Sequence, residues 1–161
     1  MDEEHGTGVL HSTFRSERFL DIDNVPGTFY PDLVEDINQC NRIGINDATY
    51  VLVWKLLENL LIDIFRDQYG KQEIDLYYLL ENRRSRTFND LINTFEENLD
   101  DFQHSSGGLD SDFINELDAF WQNANAEAHS IETNITKDEM KEYREQARHV
   151  VQILFRVNQN M

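Results

Sequence analysis

The stretch from residue 47 to 69 constrains the fold more than any other part of the chain. Tyr50, Val51, Val53, Trp54, Leu57, Leu60, Leu61, Ile64 and Phe65 recur there at helical spacing and spread over a broad apolar face. The stretch is too long for a strand, and its β-branched residues only weaken the local preference for helix. A face that broad cannot be covered by one neighbour, so the segment reads as a central helix enclosed by several others. Asn46 stands where a cap would start it, and Gly70 where it would end.

The rest of the chain supplies those neighbours. Pro31 opens a helix over about 31–42, with Leu33, Val34, Ile37 and Cys40 at helical spacing and Gly44 as its stop. After a short element over 74–81 comes a basic group, Arg83, Arg84 and Arg86. Thr87 caps the next helix, whose stripe is Phe88, Leu91, Ile92, Phe95 and Leu99. The Gly107–Gly108 pair marks a turn before a helix over about 110–127 that buries Phe113, Ile114, Leu117, Phe120 and Trp121. Thr136 with Glu139 forms a capping box for a terminal helix, with Met140, Tyr143, Ala147, Val150, Val151, Leu154 and Phe155 on one side.

The expected fold is therefore all-α, a bundle of four main helices with shorter flanking ones. Only seven Gly and two Pro occur in 161 residues, too few for the many turns of a sandwich or barrel. Ten Phe, six Tyr and two Trp give one domain ample material for a core. Its expected extent is 30–161. Residues 1–29 lack periodicity and read as an acidic tail or docking arm, with Phe14, Phe19 and Leu20 available to dock on the domain or on a partner.

Asp and Glu number 31 against 14 Lys and Arg, a formal net charge of −17. That field repels nucleic acid at long range, although a local basic patch would still attract it. It reads either as a heavily solvated acidic surface or as adaptation to high salt, where counterions screen the self-repulsion. Cys40 is the sole cysteine, which excludes an intrachain disulfide and any multi-cysteine metal site. No apolar run is long enough for a membrane helix or shaped like a signal peptide, so a soluble, cytoplasmic protein is expected.

Chemistry concentrates at one place. Asn125 and His129 are four residues apart and share a helical face, offering an amide beside a titratable imidazole. The same spacing serves equally for a buried hydrogen-bonded pair or for the end of a helix. Small residues at Ala124, Ala126 and Ala128 permit close approach by another helix or subunit. Glu58, within the apolar central segment, either reaches solvent beside Lys55 or faces the Asn125–His129 pair. One His without a second His or a suitably spaced carboxylate gives no metal site, and no Gly-rich phosphate loop or nucleophile elbow is present. No cofactor is expected.

The central helix with Glu58, together with the Asn125–His129 spacing, resembles the HEPN superfamily, closest to its uncharacterised prokaryotic members. HEPN domains are compact helical bundles, typically dimeric, and many are metal-independent ribonucleases serving as toxins or defence modules. Their signature is an Arg, a polar residue after it, and a His a few positions further on. Asn125 and His129 match the polar position and the His, but Ala124 stands where the Arg would be. The resemblance covers about residues 31–158.

It implies two main readings, beside a third found among HEPN relatives, a nucleotide-binding or nucleotidyltransferase-partner domain, for which the sequence specifies no base or phosphate pocket. In the first, the chain is a non-catalytic binding or assembly module, a homodimer with a protein partner, using Trp54, Glu58, Trp121, Ala124 and the Arg83, Arg84, Arg86 group as its surface. In the second, it is a metal-independent ribonuclease in which His129, aided by Asn125, is the base or acid. The second reading lacks a phosphate clamp, and losing such a donor costs about 3–4 kcal/mol of transition-state stabilisation. Residues 87–136 contain no Lys or Arg at all. Arg83, Arg84 and Arg86 are either an ordinary solvated turn or a replacement clamp folded over the site.

Overall fold

The computed structural model describes residues 18–129 and 135–161, and the side chains of 18–126 and 135–161. Among these residues the fold is all-α. Five helices, α1 (Phe29–Arg42), α2 (Asn46–Tyr69), α3 (Phe88–Glu97), α4 (Ser111–His129) and α5 (Lys137–Gln159), carry almost all of the regular structure. The exceptions are two short 3-10 helices, Ile74–Leu76 and Leu99–Asp101, and a two-stranded antiparallel hairpin, β1 (Tyr78–Leu79) and β2 (Arg84–Ser85), with Tyr78 opposite Ser85. Arg83, in its turn, has a φ of 50°, a left-handed conformation uncommon outside Gly.

Helix α2 is the centre. Val53, Leu56, Leu57, Leu60, Leu61, Ile64 and Phe65 are fully buried along it, and α1, α3, α4 and α5 all touch it. The breadth of its apolar face is thus matched by the number of its neighbours. Helices α1 and α2 form an antiparallel pair, since the Tyr30 hydroxyl near the start of α1 donates to the Asp63 carboxylate near the end of α2. Helix α4 also runs antiparallel to α2: Tyr50 shares a cleft with Asn123 and Ala126, while Trp54 meets Trp121. Helix α5 runs parallel to α2, with Tyr143 beside Tyr50 and Phe155 beside Tyr30.

The helix ends show where local chemistry prevails. Thr87 accepts from the Asp90 amide at the start of α3, and Thr136 and Glu139 complete a reciprocal capping box on α5. Gly70, at a φ of 61°, stops α2. The expected Asn46 cap is corrected: Asn46 is the first helical residue, and Ile45 holds the cap position with no side-chain bond. Thr49 instead returns its hydroxyl to the Ile45 carbonyl at 3.0 Å.

The segment before α1 is bound to the bundle. Phe19 and Leu20 are buried in the common core. Asn38, itself buried, accepts from the Leu20 amide at 2.8 Å and donates to the Leu20 carbonyl at 3.0 Å. Arg148 on α5 donates to the Phe19 carbonyl at 2.8 Å. These bonds satisfy backbone groups that burial of the two side chains would otherwise leave without water. Phe14 and the other residues of 1–17 lie outside the described residues.

Candidate functional site

Helix α4 carries Trp121, Ala124, Asn125 and His129 of the residues that the sequence singled out, and a cleft opens on either side of its C-terminal half. The first cleft, about 380 Å³, lies between α2, α4 and the segment that leads from β2 into α3. Trp54, Glu58, Arg84, Ser85, Arg86, Phe88 and Trp121 are among its lining residues. Trp54 and Trp121 meet with ring centroids 4.8 Å apart and planes inclined at 54°, and Phe88 meets Trp121 edge-on at 5.1 Å. Both indoles are half-buried, packed against the core on one side and open on the other. The Trp54 indole N–H is buried without a hydrogen-bond partner among the described residues.

Glu58 stands one helical turn beyond Trp54 on the same face of α2. It is half-buried, and burial alone pushes its carboxyl above the ordinary glutamate range. No hydrogen bond or ion pair engages it among the described residues. Of the two arginines that share the cleft, Arg86 is held elsewhere. Arg86 Nε donates to the Asp75 carbonyl, and its backbone amide to the Tyr77 carbonyl at 3.0 Å, which ties the hairpin down. Arg84 projects from β2 as an exposed side chain.

The second cleft, about 190 Å³, separates α4 from α5 and is lined by Tyr50, Asn123, Ala126, Ile135, Glu139, Glu142, Tyr143 and Gln146. Among the described residues, two carboxylates and no cation line it. Tyr143 at its base is stacked on Phe120 at 4.7 Å, and its buried hydroxyl has no hydrogen-bond partner among the described residues. Desolvation by that burial raises the phenol well above its ordinary pKa. Among the described residues no group of three or more His, Cys, Asp or Glu is placed to hold a metal ion, and no helix is long and apolar enough to cross a membrane.

Comparisons with known proteins add no relative. No protein-family model, curated protein or solved structure matches the chain.

The structure brings together five of the residues named from sequence: Trp54, Glu58, Trp121, Arg84 and Arg86 share one cleft. It separates others. Arg83 is exposed in the hairpin turn and is not among the lining residues. Ala124, read as an interface position, is corrected to a core position: it is only 4% exposed and packs inside the chain's own bundle. Asn125 is half-buried one turn past Trp121. The backbone of α4 reaches His129, but the side chains of Glu127, Ala128 and His129 lie outside the described residues.

The option that Glu58 faces the Asn125–His129 pair is also corrected. Because α2 and α4 are antiparallel, moving from Trp54 to Glu58 leads away from the C-terminal end of α4. Four residues along one helix and eight along the other, at the helical rise, separate Glu58 and His129 by about 18 Å along the bundle axis. Glu58 belongs with the tryptophans instead. Sequence reasoning missed Phe88 and Thr87 as cleft residues, because a stripe position and a cap already accounted for both.

Proposed function

We propose that the chain is a non-catalytic, HEPN-like binding module that works as a homodimer and holds a partner in the Trp54–Trp121 cleft. The observation that carries this reading is the convergence of both partly exposed tryptophans with a half-buried carboxylate that has no partner among the described residues. Such a set combines a large apolar contact area with a polar group able to fix orientation, which is the usual composition of a ligand site. Its volume lies in the range of small ligand pockets.

Two features favour binding over RNA cleavage. The cleft beside the C-terminal half of α4 presents Glu139 and Glu142, charges that repel a phosphate backbone. The arginines that could replace the missing clamp border the other cleft, at the level of Trp121, and residue 129 is about 12 Å further along α4. Support for the dimer comes from Ile43, Ile45 and Val51, apolar residues about half or more exposed near the turn between α1 and α2.

The test is incubation of the purified chain with single-stranded RNA, with and without a chelator, over a range of salt concentrations. Intact RNA is the expected result. Chelator-resistant cleavage that disappears in His129→Ala would overturn the module reading. Light scattering is expected to give twice the chain mass, falling to one chain in Ile43→Asp; a monomeric parent would remove the dimer.

A further inference from the structure

The chain's only two tryptophans line the same cleft, and among the described residues no cation covers either ring, the one cation–ring contact being Lys55 over Phe29. An exposed indole face attracts a cation more strongly than any other aromatic side chain does. Glu58 stands on the same face of α2 with no partner among the described residues. A carboxylate that is partly withdrawn from water and unpaired is offset best by a donor that brings positive charge and two aligned N–H groups. Guanidinium meets both demands, because it is planar enough to lie on indole and forked enough to bond a carboxylate through two N–H groups.

We propose that the Trp54–Glu58–Trp121 cleft holds the guanidinium of a single arginine side chain presented by a partner protein. The assignment rests on the binding-module reading and names its ligand. The net charge of −17 draws a basic partner toward the chain, and this steering is confined by salt to about a Debye length. Arg84, exposed at the rim, opposes a second cation next to the first. The cleft therefore selects an isolated arginine over a polybasic run, and nucleotide phosphates are not required to explain any lining residue.

Because both tryptophans are in the cleft, intrinsic fluorescence reports on it directly. Titration of the full chain with N-acetyl-arginine amide is expected to give a saturable change with a Kd in the millimolar range, on the order of −4 kcal/mol. N-acetyl-citrulline amide, the neutral isostere, is expected to bind at least about tenfold more weakly, and Glu58→Gln to weaken arginine binding about tenfold with helicity unchanged by circular dichroism. Arg84→Gln, an exposed substitution, is expected to strengthen arginine binding about two- to threefold through loss of like-charge repulsion. Equal responses to arginine and citrulline, or arginine binding that is unchanged in Glu58→Gln and weakened in Arg84→Gln, would overturn the assignment. Calorimetric saturation by guanosine monophosphate without any response to arginine would replace it with a nucleotide site. Silent tryptophans defeat the ligand alone, whereas RNA cleavage lost in His129→Ala defeats the module reading whatever arginine does.

Discussion

The two ends of α2 are built from the same kinds of residue and finish differently. Toward its C-terminus, Phe65 meets Phe95 at 6.1 Å and Phe102 at 5.9 Å, and all three rings are fully buried. Tyr69 closes this cluster with its ring edge-on to Phe102 and its hydroxyl donating to Asp101 at 2.8 Å. Nearer the N-terminus, Trp54 and Trp121 pack just as closely on each other, yet both stay partly exposed beside a carboxylate with no partner among the described residues. One end is a sealed core whose tyrosine hydroxyl has a partner. The other keeps apolar area and polar capacity unspent, which is the condition for holding something else.

The sharpest way to break this contrast is to truncate both ends. Phe65→Ala is expected to cost about 3–5 kcal/mol in urea unfolding, as for other fully buried aromatics. Trp121→Ala is expected to cost less, in proportion to the surface that it already exposes. Equal losses would mean that the tryptophan cleft is core after all.

Ala124→Leu asks how far the sealed region extends along α4. Ala124 is buried against its own chain, so the larger side chain is expected to overpack and cost about 1–3 kcal/mol. An unaltered stability with a changed oligomeric state would return Ala124 to a subunit interface.

Smaller effects test the local framework. Thr136→Ala removes the cap of α5 and is expected to cost about 1 kcal/mol, measured by thermal unfolding. A loss below a few tenths would mean that tertiary packing alone fixes the start of that helix.

The smallest expected effect is also the most diagnostic. The carboxyl of Glu58 has a raised pKa in the folded chain, so folding favours its protonated form. Its stabilising contribution is complete below the ordinary glutamate pKa and is lost as the pH rises through the raised folded value. At neutral pH the ionised group therefore opposes folding, and Glu58→Gln is expected to raise the Tm slightly. That gain should shrink as the pH falls toward the ordinary glutamate range. A lower Tm in the variant at neutral pH would show that the carboxylate has a stabilising partner.

Much of the architecture was legible because it is periodic. The stripes on α3, α4 and α5 mark mostly buried residues, since a helix facing a core must repeat its apolar positions every turn; on α2 the reading is corrected at Val51, which is exposed, while Leu56, absent from the stripe, is fully buried. The Thr87 and Thr136 caps were legible because a cap is satisfied within four residues. The Asn46 cap was not, because a favourable residue type at a helix start does not compel its side chain to bond there. The hairpin over 78–85 also escaped detail: two-residue strands carry no period to read.

The sequence by itself determined the helical class, the central place of α2 and the inventory of chemically capable residues, since each follows from spacing and composition along a local run. It also established that no Lys or Arg lies in residues 87–136. Only the tertiary structure decided that Glu58 joins the tryptophans and not the Asn125–His129 face, that Arg84 and Arg86 border the same cleft, and that Ala124 is core. Those outcomes depend on the direction in which α4 crosses α2 and on where the hairpin folds back. Both are set by packing between segments far apart in the chain, which no local pattern encodes.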